Sequence, residues 1–172
     1  CAPLSPYGKS KQAAELLCTA YAHAWGAGMV CARMFSVYGP RQRPDLAMRR
    51  FASRIMRGER LELYGDCKRD YTEVSDIARG LLLALDWTLE NQGCEVVNLG
   101  AGRAVSTLEL VRSLERALGR KARTVPKPPH PLDLPETLAD TKKAQALLGW
   151  RAEIPLERGV ERFCAWMNGE ED

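Results

Sequence analysis

Tyr7 and Lys11 stand four residues apart in Ser5-Pro6-Tyr7-Gly8-Lys9-Ser10-Lys11. On a helix that spacing puts both side chains on one face, about 6 Å apart along the axis. A tyrosine titrates near pH 10 and is a poor base at neutrality. Bringing it to about 7 takes roughly 4 kcal/mol of preferential stabilisation of the phenolate. An ammonium one turn away, helped by a cationic nicotinamide ring in a dry site, supplies a field of that sign. The resulting base would take the proton of a sugar hydroxyl while hydride leaves the same carbon, and the lysine could also hold a ribose hydroxyl. The spacing alone is weakly specific. Tyr64 and Lys68 repeat it across Gly65-Asp66, a turn in which no helical face aligns them.

The elements that must position these residues follow from local pattern. Ser5-Pro6 reads as N-cap and first helical residue. Behind it Ala13, Leu16, Leu17, Ala20, Tyr21 and Ala24 recur at helical spacing until Gly26 and Gly28. Met29 to Phe35 reads as a buried strand, Tyr38-Gly39-Pro40 as a turn and Arg41 to Pro44 as a basic loop. Leu46 to Met56 predicts a helix ended by Gly58. Leu61, Leu63 and Tyr64 alternate like a strand, and Asp70 to Val74 is a second extended piece. Ser75 is placed to cap a helix carrying Ile77, Leu81, Leu82 and Leu85. Glu95 to Leu99 predicts a strand, Gly100-Ala101-Gly102 a tight turn, and Ser106-Thr107-Leu108-Glu109 a capping box opening a helix to Leu118. Ala122 to Val125 predicts a strand, and the proline-rich stretch Pro126 to Pro135 an extended loop. Asp140 caps a short helix ending at Gly149. Pro155 opens the last helix, with Val160, Phe163 and Trp166 inward and the tail Glu170-Glu171-Asp172 frayed. Alternating helices and strands indicate an α/β architecture with a parallel sheet.

Composition narrows the field. A chain of 172 residues has room for one domain with one core. With 45% apolar and 27% charged residues it is not disordered, collagen-like or purely coiled-coil. The longest apolar run, Leu81 to Leu85, is too short to span a bilayer, and no signal peptide is visible, so no membrane partner is expected. A net charge of +3 does not call for nucleic acid. Arg49, Arg50, Arg54 and Arg57 spread around a helix with no aromatic platform between them and read as a solvated face. The six cysteines have irregular spacing and no C-x-x-C, which favours free thiols in a reducing, cytoplasmic compartment over disulfides or a metal site. Gly100-x-Gly102 lacks a third glycine and a later ribose-binding acid, so it reads as a turn rather than a dinucleotide loop. The chain opens on Cys1 without an initiator methionine and reads as a fragment.

Five segments in order resemble the extended short-chain dehydrogenase/reductase family, the nucleotide-sugar epimerases and dehydratases. Ser5-Pro6-Tyr7-Gly8-Lys9-Ser10-Lys11 is similar to its S-P-Y-G-x-S-K helix, and Arg33-Met34-Phe35-Ser36-Val37-Tyr38-Gly39-Pro40 to R-x-F-N/T-V-Y-G-P. Arg69-Asp70-Tyr71-Thr72 resembles R-D-F/Y-T, and Asn98-Leu99-Gly100-Ala101-Gly102 resembles N-I-G-S-G. Leu138-Ala139-Asp140-Thr141-Lys142-Lys143-Ala144 with Leu148-Gly149-Trp150 resembles the closing A-D-x-S-K-A…L-G-W. The resemblance covers essentially the whole chain as the C-terminal half of such an enzyme. It implies the C-terminal part of a Rossmann-like parallel sheet with a small mixed α/β substrate-binding subdomain. Residues 1–40 and about 74–100 would serve the Rossmann-like part, and about 41–73 and 101–172 mainly the subdomain.

The same resemblance implies roles. Tyr7 would be the general base and acid, and Lys11 its partner and ribose ligand. The backbone at Phe35 and Val37 would hold the nicotinamide carboxamide of NAD. Ser36 and Arg43 would contact the substrate sugar, because Val37-Tyr38-Gly39-Pro40-Arg41-Gln42-Arg43-Pro44-Asp45-Leu46-Ala47 is similar to a stretch of UDP-glucuronate 4-epimerases. A hydroxyl and a planar guanidinium suit a carboxylate; the other reading of Arg43 is a solvated loop residue. Arg69 would bind the nucleotide diphosphate, or else pair at the surface with Asp66 or Asp70. Asp133 would contact ribose. Three departures stand out: His130-Pro131-Leu132-Asp133 where the family has R-P-G-D, the shorter loop Gly65-Asp66-Cys67-Lys68-Arg69, and Glu73-Val74-Ser75-Asp76 for Y-V-D-D.

The function expected is therefore an NAD-dependent nucleotide-sugar 4-epimerase of UDP-glucuronate or UDP-glucose type. It would act by transient C4 oxidation and hydride return, as a homodimer when complete. A 4,6-dehydratase or decarboxylase of the same family, and a non-catalytic remnant binding a nucleotide sugar or a partner subunit, are the alternatives. The family's glycine-rich loop and upstream Ser or Thr are not in this sequence, so the chain alone is expected to bind NAD poorly, not to turn over, and to self-associate.

Overall fold

A computed structural model describes residues 3, 5–129 and 133–169; Cys1, His130-Pro131-Leu132 and the acidic tail lie outside the described residues. In chain order the elements are α1 (Pro6–Trp25), β1 (Gly28–Met34), β2 (Ser36–Tyr38), α2 (Ala47–Met56), β3 (Arg60–Tyr64), β4 (Lys68–Glu73) and α3 (Val74–Glu90). Then come β5 (Gly93–Leu99), β6 (Ala104–Ser106), α4 (Thr107–Leu118), β7 (Arg123–Lys127), α5 (Lys142–Leu148) and α6 (Leu156–Gly169). The strands form three small sheets, β1-β5, β2-β4-β6 and β3-β7. Every pairing is parallel except β4 with β6. The α/β class with parallel strands is the one expected.

Local chemistry explains the main boundaries. Ser5 Oγ accepts the Gly8 N–H at 3.0 Å with Pro6 as first helical residue, and Gly26 closes α1 in the left-handed conformation at φ 61°. Ser106 Oγ accepts the Glu109 N–H at 3.1 Å, as the capping box requires. Two expectations change. Ser75 does not cap α3: the chain is already helical at Val74, and the Glu73 carboxylate reaches forward to the Ser75 N–H at 2.6 Å. Thr141 holds the N-cap position of α5, while Asp140 Oδ1 accepts the Lys142 N–H at 3.1 Å from one residue earlier. The strands β2 and β6 went unread because three residues cannot display a period of two.

Packing divides between two principal clusters. One joins Tyr38 with Met48, Ile55, Leu110, Leu114, Val160 and Phe163 from α2, α4 and α6. The other gathers Ile77, Ala84, Val97, Leu99, Leu148 and Trp150 around β5, α3 and α5. Trp150 is fully buried and donates its Nε1–H to the Asp76 carbonyl at 2.9 Å. The Asp76 carboxylate, also buried, accepts the N–H groups of Glu153 and Ile154 at 2.9 and 2.8 Å and ties α3 to the segment before α6.

α1 departs from its sequence pattern. Its inward stripe is narrow: Glu15 bonds Arg33 of β1, and Ala22 is its buried residue. The wider apolar stripe faces out, with Leu16, Leu17, Tyr21 and Trp25 each more than half exposed and Tyr21 stacked on Trp25 at 4.7 Å.

A side chain is excluded at Gly80, where an added Cβ would lie 2.9 Å from Trp150 Nε1 and 3.0 Å from Leu99 Cδ1. Gly80→Ala is therefore expected to destabilise the chain by about 1–3 kcal/mol through overpacking, read as a lower urea midpoint. An unchanged midpoint would show that this core yields to an extra methyl.

Candidate active site

Tyr7 lies in the first turn of α1 and Lys11 one turn on, with Lys11 Nζ 5.3 Å from the Tyr7 ring centroid. The ammonium therefore sits over the face of the phenol ring, in cation–π range. Both side chains are exposed and border a cavity of about 950 Å³. The cavity opens where β1 and β5 end, beyond Arg33, Met34 and Asn98, which is where ligands bind parallel α/β sheets. Its opposite wall comes from Leu134 and from Thr137, Leu138 and Asp140.

Arg33 and Glu15 both line this cavity and are joined by a two-pronged ion pair. Arg33 Nε donates to Glu15 Oε1 at 2.7 Å and Nη2 to Oε2 at 2.6 Å. The hydrogen bond from Arg33, and then its charge, hold the Glu15 carboxyl below its ordinary range despite partial burial. Sequence reasoning quoted Arg33 within a motif and missed the pair. The available signal was Glu15 itself, four residues beyond Lys11 on the ridge that starts at Tyr7. Asn98, opposite Arg33 in the β1-β5 register, donates its Nδ2–H to the Asp140 carbonyl at 3.0 Å.

The residues named from sequence do not all meet at one place. Tyr7, Lys11, Phe35, Ser36 and Arg69 line the one cavity. The Phe35 N–H is already given to the Leu99 carbonyl at 3.1 Å. Val37 packs against the β5 and α3 cluster, and its carbonyl takes Gln42 Nε2 at 3.0 Å. Arg69 donates through Nη1 to the carbonyls of Lys68 at 2.8 Å and Leu134 at 2.7 Å, with Nη2 3.8 Å from Asp133 Oδ1. Arg69 and Asp133 thus come together across 64 positions of sequence, and the carboxylate at this guanidinium is Asp133 rather than Asp66 or Asp70. Arg43 is outside the cavity lining, three-quarters exposed, and gripped by Asp45 at 3.0 and 2.6 Å. The second Tyr/Lys pair diverges: Tyr64 bonds Glu62 at 2.9 Å and Lys68 pairs with Glu136 at 3.7 Å.

A carboxyl with a lowered folded-state value stabilises above its unfolded value and loses that contribution as pH falls through the folded one. Glu15→Gln is accordingly expected to unfold at lower denaturant than the native chain near neutrality. The gap should close on acidification below 4.5, the ordinary value for this carboxyl. Denaturant midpoints measured across that range check it, and a gap that stays constant into strong acid would count against the pair.

Among the described residues no helix is long and apolar enough to cross a membrane, and no group of three or more His, Cys, Asp or Glu is arranged to hold a metal. Residues 1–100 match the sequence profile of the NAD dependent epimerase/dehydratase family. The UDP-glucuronate 4-epimerase of Thermodesulfobacterium geofontis is 39% identical over 167 residues, covering 95% of this chain and 50% of that protein. The structure of MoeE5 in complex with UDP-glucose and NAD superposes with a TM-score of 0.91 at 37% identity, covering 99% of this chain and 58% of the other. The UDP-glucuronic acid 4-epimerase from Bacillus cereus, in complex with UDP-glucuronic acid and NAD, gives 0.89 at 34% identity over 98% of this chain and 54% of the other. The chain spans about half the length of the curated relatives it matches. With the Tyr7/Lys11 face, the cavity at the strand ends and the profile over residues 1–100 in agreement, the chain belongs to the NAD dependent epimerase/dehydratase family, a family of enzymes with a Rossmann-like α/β fold.

Proposed function

We propose that this chain carries the proton-transfer and sugar-binding half of an NAD-dependent 4-epimerase acting on UDP-glucuronate or UDP-glucose. The observation that supports it is the Tyr7/Lys11 pair at the mouth of a cavity that also holds two guanidiniums, Arg33 and Arg69. The relatives quoted above bear the names of 4-epimerases or were captured with UDP-sugars and NAD.

NAD, which Tyr7, Lys11 and the backbone at Phe35 and Val37 would hold, would supply reversible hydride acceptance at the sugar C4. The residues suit that partner: one apolar wall from Met34 and Phe35 and one cation from Lys11. Tyr7 takes the C4 hydroxyl proton and returns it after the 4-keto sugar has turned over in the cavity. Arg69 meets the diphosphate as a planar cation already braced by two carbonyls, with Asp133 beside it for the ribose. Ser36 meets the sugar. Arg43 must leave Asp45 to join it. In this reading residues 1–40 and about 74–100 serve the Rossmann-like part and the remainder mainly the sugar side.

The outward stripe Leu16, Leu17, Tyr21 and Trp25 is the surface through which the complete enzyme forms a homodimer. Cytoplasmic residence accords with the free thiols Cys18, Cys31, Cys67, Cys94 and Cys164.

Incubation of the complete enzyme with UDP-glucuronate is expected to yield UDP-galacturonate. Tyr7→Phe should lower kcat by roughly 10²–10⁴-fold while leaving the affinity for UDP within about threefold. A 4-keto-6-deoxy or decarboxylated product would replace epimerisation by the related chemistry. Calorimetry on the 172-residue chain reports on the rest. UDP uptake without NAD uptake is expected, and uptake of neither would leave a structural remnant. Sedimentation tests the dimer surface: Leu17→Glu should shift the chain from associated species to monomer.

A further inference from the structure

Asp70 sits in β4 beside Arg69, yet its side chain faces the interior and is fully buried. Its two oxygens are occupied. Oδ1 accepts the Ala101 N–H at 2.7 Å, and Oδ2 accepts the N–H groups of Gly102 at 2.9 Å and Ala139 at 3.0 Å. Thr72 Oγ1 adds a long contact to Oδ1 at 3.5 Å. A buried carboxylate is tolerated when it receives several charge-assisted bonds, and three backbone donors converge here. Ala101 and Gly102 lie 31 and 32 residues from Asp70, and Ala139 lies 69 away.

The bonded residues stand behind the cavity and adjoin its lining on two sides. One segment follows Asn98, and the other is the wall containing Thr137, Leu138 and Asp140. They meet directly at Gly100, where an added Cβ would stand 2.3 Å from Ala139 Cβ and 3.0 Å from Asp70 Oδ2. The strand holding Asp70 grips the same wall by its backbone: Lys68 N–H to the Pro135 carbonyl at 2.8 Å and Thr137 N–H to the Lys68 carbonyl at 3.1 Å.

We propose that Asp70 is the positioning residue of the nucleotide-sugar cavity: its buried carboxylate fixes the spacing between the 98–102 turn and the 137–140 wall, and so the direction in which Arg69, Asn98 and Leu138 face the substrate. This assignment rests on the function proposed above. Charge and shape are both needed. Three N–H groups require two acceptor atoms; an asparagine offers one oxygen and turns its NH₂ toward a donor. Asp76 is the comparison: it too is buried and accepts two backbone N–H groups, but those belong to Glu153 and Ile154, outside this cavity, and its other oxygen takes the Arg79 guanidinium at 2.9 Å.

The test compares Asp70→Asn, Gly100→Ala and Asp76→Asn in the 172-residue chain. UDP is titrated by calorimetry, and amide exchange at Asn98, Thr137 and Leu138 is followed by NMR. Asp70→Asn and Gly100→Ala are expected to weaken UDP binding about tenfold and to speed exchange at the three amides by at least about tenfold. Asp76→Asn should lower Tm comparably with less than about a twofold change in either readout. Unaltered UDP affinity and exchange in Asp70→Asn would overturn the assignment, as would equal losses in all three variants. Should Asp70→Asn fail to fold, Gly100→Ala decides, since it wedges the same segments apart with the carboxylate intact. If the unaltered chain takes up no UDP, the diphosphate site proposed for Arg69 fails, and the exchange rates alone then uphold or reject the positioning by Asp70.

Discussion

The direction in which Tyr7 points depends on an ion pair two turns away. Tyr7, Lys11 and Glu15 follow one another at i, i+4 and i+8, so they form one ridge along α1. The last of them is held by Arg33 through two short bonds, and Arg33 belongs to the strand that ends at the cavity. α1 also packs on β1 and β5, with Ala22 as its buried residue. Where α1 turns into β1 the backbone is tightly enclosed: at Gly28 a Cβ would lie 2.3 Å from the Asn91 carbonyl oxygen and 2.4 Å from that of Thr88. A partly exposed ion pair contributes little to stability, of order 1 kcal/mol or less once water screening is counted. Its fork geometry nevertheless fixes rotation about the helix axis, and that rotation sets where the Tyr7 phenol stands at the cavity mouth.

The two walls of the cavity are held by different physics. On the tyrosine side the fastening is a pair whose arginine remains over a third exposed to water. On the side of residues 137–140 it is Asp70, buried, with three backbone donors. Hydrogen bonds to a buried charge are worth more than those at a wet surface, about 1.5–3 kcal/mol against less than one. The wall at residues 137–140 is therefore the more strongly fastened of the two. The tyrosine helix takes its remaining rigidity from whatever covers Leu16, Leu17, Tyr21 and Trp25.

What was legible in the sequence was what is local. The cap at Ser5, the proline after it and the glycine at 26 settle α1, and with it the shared face of Tyr7 and Lys11. The capping box at Ser106 is equally short-ranged. Apolar periodicity in α1 was visible as well, but a period reports that a helix has two faces, not which neighbour each face meets. The broader stripe proved to be the outward one. Ser75 lost the capping role to Glu73 because helix entry is decided by a single residue's backbone angles. Arg43 shows what a motif leaves out: its place in the pattern suggests a sugar contact, while in the structure Asp45, two residues on, holds its guanidinium.

Asp70 and Arg33 could not have been found that way. Asp70 gathers donors from 31 to 69 positions downstream, and Arg33 reaches back 18 positions to Glu15. Each lies beside a residue the sequence did single out, Arg69 in one case and Phe35 two positions on in the other. Strand alternation explains the adjacency for Arg69. Successive side chains point to opposite faces, so a residue that presents to the cavity has a neighbour committed to the layer beneath. A motif read as a string of ligands thus contains its own scaffold in alternate positions. In Arg69-Asp70-Tyr71-Thr72 the first residue borders the cavity, and the second holds that cavity's turn and wall together from below.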